Sequence, residues 1–237
     1  TESINIYAIS RNDSNNLNIN KFNWDWLTDI KIDLKAKNFD SVIIIPKPSS
    51  LDEKGYKDGF IIATKNILNL LSNLNINKVI AISSTRVYGG HHKGAVDERS
   101  IEKPSEFRGK LILEYEVALS QIFGPRLTIL RFSGLYDNQS KKTSHNKLHR
   151  DQAAKIIAHF MEYKSESSQT NIINCSEDSE ILFAEKSIIN TNAIAQINIV
   201  DKVESSICVF IQLTFYMQLA LYLLCNIFAN RYFVIFR

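Results

Sequence analysis

The 237 residues suffice for one domain with a sizeable core or for a large and a small domain, and 45% of them are hydrophobic and 22% charged. This composition excludes a small disulfide-stapled scaffold and a disordered chain. The formal net charge is +3, and the lysines and arginines are scattered, which argues against nucleic-acid binding. The three cysteines show neither a disulfide pattern nor a metal-binding spacing, so we expect a cytoplasmic, reducing compartment and no metal.

Apolar runs bounded by turn residues predict the strands, and most of these runs are typical of strands buried on both faces of a parallel sheet. The predicted strands are residues 4–10, 30–34, 41–45, 78–83, 127–131 and 172–174. Apolar residues at helical spacing predict helices over residues 56–74, 109–123 and 151–163. Strands that alternate with helices indicate an α/β fold with a parallel sheet, whose ligand crevice lies at the carboxyl ends of the strands.

The last fifty residues differ in composition from the rest. No charged residue lies between Glu204 and Arg231, and this apolar run is long enough for a membrane span. We therefore predict an α/β domain over residues 1–180 and a divergent segment over 181–237. Three hypotheses remain open for residues 205–230: a membrane span, a helix buried against the domain or a partner, and an out-of-frame extension.

Several stretches occur in the order and spacing of one enzyme family. They are Ile-Ser-Ser-Thr-Arg-Val-Tyr-Gly at 82–89, Val-Asp-Glu at 96–98 with Pro104, Gly-Lys at 109–110, Leu-Arg-Phe-Ser-Gly-Leu-Tyr at 130–136, and the segment 146–154. Together they resemble the extended and atypical short-chain dehydrogenase/reductases, the NAD-dependent epimerase/dehydratase family. The resemblance covers residues 4–174. It implies that residues 1–180 form a Rossmann-like nucleotide-binding domain with a doubly wound parallel sheet, and that the protein is an NAD(P)-binding oxidoreductase or epimerase/dehydratase. Its partner would be a small-molecule substrate, a carbonyl, an alcohol or a nucleotide sugar.

The resemblance also implies a catalytic site. The family uses a Ser or Thr after a strand, a Tyr as general acid/base and a Lys four residues after the Tyr. Matching the motifs of this chain to those of the family places the hydroxyl on Ser84 and the lysine on Lys110. A lysine ammonium beside a phenol favours the phenolate. Four residues before Lys110, however, stands Glu106. Three hypotheses remain open. Glu106 replaces the Tyr as acid/base, or another phenol such as Tyr88 supplies the proton. In the third, the chain is a non-catalytic nucleotide-sensing or partner-binding module on the same fold.

The cofactor is predicted from the residues that follow the strands. Arg11 ends the strand that matches the family's second strand, where an acid accepts the ribose hydroxyls of NAD and an arginine accommodates the 2′-phosphate of NADP. We therefore expect NADP, with NAD as the alternative. By the same resemblance Asp33 and Leu34 contact the adenine, Ser83 and Ser133 contact the cofactor, and Lys110 binds the nicotinamide ribose.

The glycines form neither G-x-G-x-x-G nor a phosphate-binding loop. In the family the glycine-rich turn belongs to a strand and helix upstream of residue 4, so we expect the sheet to lack this N-terminal unit. On the helix that follows Lys110, we interpret Glu114 and Glu116 as part of a solvated face rather than as a carboxylate pair.

Overall fold

The computed structural model describes residues 5–11, 20–28, 30, 32–90, 95–137, 146–163, 165, 167–177 and 206–211. The strands are β1 (Asn5–Ser10), β2 (Asn20–Asn23), β3 (Asn38–Ile45), β4 (Asn75–Ser84), β5 (Leu127–Phe132), β6 (Gly134–Tyr136), β7 (Lys147–His149), β8 (Asn171–Cys175) and β9 (Ser206–Ile211). The helices are α1 (Glu53–Tyr56), α2 (Ala63–Leu71), α3 (Phe107–Phe123) and α4 (Arg150–Glu162). A π-helical turn (Lys57–Ile62) joins α1 to α2, and 3₁₀ turns cover Thr85–Tyr88 and Gly124–Arg126.

The chain forms two compact units. Unit 1 comprises Thr1–Ile80 and Val200–Arg237, and unit 2 comprises Ala81–Ile199. Strand β4 begins in unit 1 and ends in unit 2.

Unit 1 contains a sheet with the strand order β2-β1-β9-β3-β4. The pairs β1/β2, β1/β9 and β3/β9 are parallel. Residues 41–45 of β3 are all buried, as expected for a strand that is covered on both faces. This order matches the 3-2-1-4-5 part of a doubly wound sheet, with β9 in the position of the first strand.

The loop after β3 packs closely on the helical segment that follows it. Asp52 caps α1 by accepting the Gly55 backbone N–H at 2.8 Å. A Cβ atom on Gly59 would lie 2.2 Å from the Lys47 carbonyl oxygen, so only glycine permits this approach of the π-helical turn to the loop. The backbone around Lys47 is therefore held in place by the helix.

Unit 2 contains the end of β4, then β5 and β8 in that order, with β5 and β8 parallel. Every residue of β5 is buried. A separate two-stranded parallel sheet consists of β6 and β7, and α4 follows it with His149 as its N-cap. Unit 2 thus places the carboxyl end of β4 and the first turn of α3 within one compact body.

The α/β fold class and most predicted elements are confirmed, but the strand predicted at residues 30–34 is wrong. The strand that follows β1 is β2, and residues 32–34 are irregular. The Asp33 carboxylate accepts the backbone N–H of Lys35 at 3.0 Å, and Lys35 has a φ of 61°. An aspartate that bonds its own backbone two residues on favours a turn over an extended strand.

The C-terminal segment also differs from the expectation. Residues 206–211 form a strand of the sheet, so this part of the predicted span at 205–230 is not a membrane helix. No helix within the described ranges is long and apolar enough to cross a membrane. The rest of that candidate span, and the boundary predicted at residue 180, lie outside the described residues.

The position of β9 generates a first prediction. Val209 pairs with Ala8 on one side and Ile43 on the other, so the backbone N–H of Val209 faces a neighbouring strand. Val209→Pro removes this donor from an interior strand and leaves a carbonyl unpaired, and we expect the free energy of unfolding to fall by about 1–3 kcal/mol. Thermal and urea denaturation measure this change.

Ser206→Pro is the matched control, because proline is tolerated at the first residue of a strand. Equal melting temperatures for the two variants and the parent chain would show that β9 contributes nothing to the stability of unit 1.

Candidate active site

Ser84 lies where β4 ends and the chain turns into a 3₁₀ helix. Its backbone is extended, and its hydroxyl oxygen accepts the Arg86 backbone N–H at 3.3 Å. Gly89, with a φ of 72°, ends this turn in a conformation that favours glycine. The Ser84 side chain is half-buried, and among the described residues none accepts its hydroxyl proton. This hydroxyl can therefore donate to a ligand at the carboxyl end of β4.

The first turn of α3 is attached to the same turn. A Cβ atom on Gly109 would lie 2.6 Å from the Arg86 carbonyl oxygen, so the helix approaches the 3₁₀ turn closely. Glu106 is the N-cap residue of α3, and its carboxylate lies 3.7 Å from the Arg86 guanidinium. The Lys110 backbone N–H donates to the Glu106 carbonyl, and the Lys110 side chain is exposed. Unit 2 thus brings the three predicted catalytic residues onto two adjoining segments.

The environment of Glu106 differs from that of a buried acid/base. Its side chain is 67% exposed, and its partner Arg86 is 52% exposed. An ion pair this exposed contributes little to stability and leaves the carboxylate in contact with water.

Tyr88, the alternative proton donor, is buried and fully engaged. Its hydroxyl accepts a hydrogen bond from Arg131 Nη1 at 2.7 Å and donates to Asn174 Oδ1 at 3.0 Å. Burial raises the pKa of Tyr88, and the Arg131 charge only partly offsets this. The Asn174 backbone N–H in turn donates to Glu98, a residue of the Val-Asp-Glu stretch, at 2.7 Å. The Tyr88 hydroxyl proton is therefore directed at Asn174, into the interior.

Arg131 is at the centre of a buried group that we call the Arg131 cluster (Ser83, Tyr88, Glu102, Glu116 and Arg131). Arg131 Nε donates to both carboxylate oxygens of Glu116, at 3.0 and 3.2 Å. Arg131 Nη2 donates to Glu116 at 2.6 Å and to Glu102 at 2.7 Å. Burial is the largest single influence and lowers the pKa of Arg131, but the hydrogen bonds and charge of Glu116, together with Tyr88 and Glu102, outweigh it and the pKa is raised. The Ser83 hydroxyl donates to Glu116.

The Arg131 cluster corrects one interpretation and qualifies another. Glu114 is exposed, as predicted, but Glu116 is only 3% exposed and lies in the interior. The sequence signal for this was Arg131 itself, since an arginine in an otherwise apolar buried strand requires a carboxylate partner. The predicted cofactor residue Ser83 has its hydroxyl directed at Glu116 rather than at the surface.

Ser133, which follows β5, is the other predicted cofactor residue of unit 2. Its backbone N–H donates to the Cys175 carbonyl at 3.0 Å, and its side chain is buried. Its hydroxyl has no partner among the described residues. A pocket of about 390 Å³ opens elsewhere on unit 2, over Glu102, Glu116 and Arg131, and none of the predicted catalytic residues lines it.

In unit 1 the predicted adenine pair does not follow a strand. Asp33 is in a loop with 75% of its side chain exposed, where it binds Lys37 at 3.3 Å, and the Lys35 backbone hydrogen bond lowers the pKa of Asp33. Leu34 is buried in the core. Arg11, by contrast, lies where predicted, exposed and directly after β1.

Asp25 is a further polar residue near the carboxyl end of a strand, and it was not selected from the sequence. It lies two positions after β2, between the buried Trp24 and Trp26. Its carboxylate accepts the Leu27 backbone N–H at 3.0 Å, and the Trp24 indole N–H donates to the Ile30 carbonyl at 2.6 Å. These bonds form a compact turn at the carboxyl end of β2, and the two closely spaced tryptophans were the sequence signal for it.

The Arg131 cluster generates the second prediction. Glu116→Gln leaves the buried guanidinium without its main counter-charge, so we expect the free energy of unfolding to fall by about 3–5 kcal/mol in urea denaturation. Glu114→Gln, two residues away on the exposed side of α3, is the control and should change it by less than about 0.5 kcal/mol. Equal effects of the two substitutions would contradict the structural role of the cluster.

Comparison with known proteins supports the fold. Neither a protein-family model nor a curated protein sequence matches the chain. Among solved structures, UDP-N-acetylglucosamine 4-epimerase from Methanobrevibacter ruminantium M1, in complex with UDP-N-acetylmuramic acid, is similar with a TM-score of 0.58 and 14% identity, covering 90% of this chain and 87% of that one.

UDP-glucuronic acid 4-epimerase from Bacillus cereus, in complex with NAD, is similar with a TM-score of 0.56 and 16% identity over 82% of this chain and 71% of that one. A tyrosine-to-phenylalanine mutant of the same epimerase, in complex with a fluorinated UDP-sugar and NAD, is similar with a TM-score of 0.52 and 20% identity. The match covers 68% of this chain, which spans 61% of the length of that structure. At these identities the likeness establishes the fold. The chain has the Rossmann-type α/β fold of the NAD-dependent epimerase/dehydratase structures, as its motifs predicted.

Proposed function

We propose that the protein binds a nicotinamide dinucleotide and acts on a carbonyl, alcohol or nucleotide-sugar substrate, in the manner of epimerase/dehydratase-type short-chain dehydrogenases. The observation that carries the proposal is the attachment of Ser84, at the carboxyl end of β4, to the first turn of α3 through Arg86. This attachment keeps the Ser84 hydroxyl and Lys110 on one rigid part of unit 2. The solved structures with this fold include epimerases in complex with NAD or a UDP-sugar.

Each predicted residue of unit 2 has a defined chemical task. The Ser84 hydroxyl donates to the substrate oxygen at which negative charge develops. Lys110, which is exposed, would bind the ribose hydroxyls beside the nicotinamide. A bound nicotinamide would accept the hydride when the substrate is oxidised and supply it when the substrate is reduced. Glu106, at the position of the missing phenol, accepts or returns the substrate proton.

On the adenosine side, unit 1 offers Arg11 and Asp25, which follow two paired strands. Arg11 follows β1 where an NAD-specific protein would carry an acid, which supports NADP over NAD. Asp25, at the carboxyl end of β2, takes the adenine-contacting place that the sequence pattern gave to Asp33. One Asp25 oxygen is bonded to the Leu27 backbone N–H.

A second candidate function is a non-catalytic nucleotide-sensing or partner-binding module. The exposure of Glu106 favours it, since a general acid/base needs a pKa near the working pH, which burial normally helps to produce, and this carboxylate is open to water. The engagement of Tyr88 in the interior favours it as well. Nucleotide binding without turnover on any substrate of these classes would support this function over the first.

The third prediction concerns the cofactor. NADPH should bind the full chain about tenfold more tightly than NADH, because Arg11 makes a charge-assisted hydrogen bond to the 2′-phosphate. Arg11→Asp should reverse the order, and titration of the reduced nucleotide's fluorescence measures both affinities. Equal affinities that the substitution leaves unchanged would remove Arg11 from the site.

The fourth prediction concerns catalysis. With nucleotide sugars and simple carbonyl compounds as substrates, Glu106→Gln should abolish turnover and leave NADPH affinity unchanged, because a neutral amide cannot accept the proton. Lys110→Ala should weaken both turnover and NADPH binding. Glu114→Gln, an exposed position on the same helix, serves as the control and should behave like the parent chain. Full activity in the Glu106 variant would place the acid/base on another residue.

A further inference from the structure

Two cations of unit 1 lie at the same edge of its sheet. Arg11 directly follows β1, and Lys47 follows β3 by two residues. The ion pairs found in the described part of unit 1 are Lys37 with Asp33 and Lys54 with Asp58. Within the described ranges, Arg11 and Lys47 have no hydrogen-bond or ion-pair partner.

The register of the strands determines where the backbones of Arg11 and Lys47 lie relative to each other. Ile9 and Ile44 both pair with Phe210, so β1 and β3 are level on the two sides of β9, and their carboxyl ends point the same way. Two strand spacings separate β1 from β3, which is roughly 10 Å. Arginine and lysine side chains can span this gap from both sides, and they then flank the end of β9. Burial lowers the pKa of Lys47, and the charge of Arg11 lowers it further, which agrees with two cations held near each other.

The Lys47 backbone is fixed before any ligand arrives. Gly59 packs against the Lys47 carbonyl, and the Ser49 backbone N–H donates to the Gly55 carbonyl at 3.1 Å. A fixed backbone reduces the entropy that is lost when the side chain binds.

The acids of the following loop are engaged elsewhere. Asp52 caps α1 and accepts from the Ser50 hydroxyl at 2.6 Å. Asp58 binds Lys54 at 2.7 Å. Neither acid therefore neutralises Lys47, and among the residues that the structure describes the charge of the two cations is left for an anion.

We propose that Arg11 and Lys47 form a two-cation site for the phosphate groups of a nucleotide, at the end of β9. The proposal rests on the proposed function, which it deepens by naming how the phosphates are held. In doubly wound sheets the phosphates bind at the carboxyl end of the first strand, the position that β9 occupies, and a glycine-rich turn normally cradles them. The residues that follow β9, Gln-Leu-Thr-Phe at 212–215, contain no glycine. Arg11 and Lys47, which follow the two strands that flank β9, supply side-chain charge for phosphates at this position.

The test uses inorganic pyrophosphate, ADP and adenosine 2′,5′-bisphosphate as probes, measured by calorimetry with the full chain at low salt. Lys47→Met should weaken the binding of at least one phosphate probe about tenfold, the loss expected for one charge-assisted hydrogen bond. Lys47→Arg should retain binding, because it keeps the charge. Lys65→Met, an exposed lysine on α2 of the same unit, is the matched control and should bind like the parent chain.

The probes distinguish the two sources of phosphate. Loss of pyrophosphate and ADP binding assigns Lys47 to the diphosphate, whereas loss confined to adenosine 2′,5′-bisphosphate assigns it to the 2′-phosphate. Either result supports the two-cation site. If Lys47→Met and Lys65→Met bind every probe as the parent chain does, or if no probe binds the parent chain, the site is overturned.

The outcomes also separate this inference from the proposed function. NADPH binding that persists without any effect of Lys47→Met would refute the two-cation site and leave the dinucleotide function intact. Pyrophosphate binding that depends on Lys47, in a chain that binds neither NADH nor NADPH, would retain the two-cation site and refute the dinucleotide function.

Discussion

A guanidinium group within a buried strand must be neutralised where it lies, and in unit 2 this requirement determines how several segments pack. Arg131 is part of β5, every residue of which is buried. Its donors reach Glu116 on α3, Glu102 before α3 and Tyr88 on the 3₁₀ turn. An isolated ion transferred from water to such a site costs several kcal/mol, so these contacts have to form together or not at all.

The predicted catalytic residues depend on this cluster without belonging to it. Glu116 fixes α3 against β5, and Tyr88 fixes the turn that Ser84 begins. Once both are fixed, the close approach of Gly109 to Arg86 brings the first turn of α3 beside Ser84. Charge neutralisation in the interior thus positions Glu106 and Lys110, which are themselves exposed.

Much of the fold could be predicted from the sequence, because apolar runs and helical spacing report burial directly. The pattern failed where a local side-chain bond decided the structure. At residues 30–34 the alternation suggested a strand, but the Lys35 backbone N–H donates to the Asp33 carboxylate and the chain turns, so Asp33 does not follow a strand. Glu116 was placed on the surface because helical spacing does not reveal a partner on a distant strand. The pairing of β9 could not be predicted, since an apolar run carries no information about its neighbours.

The pairing of β9 also constrains the order in which unit 1 can fold. Asn5 pairs with Ser206, so a strand near the start of the sequence and one near its end are neighbours in the sheet. During synthesis β1 and β3 emerge long before the strand that lies between them, and their facing edges remain unpaired meanwhile. Contacts so distant in sequence close slowly, because the entropy of the intervening loop is lost before the contacts form. We therefore expect slow folding of unit 1, with exposed strand edges that favour association of nascent chains until β9 is inserted.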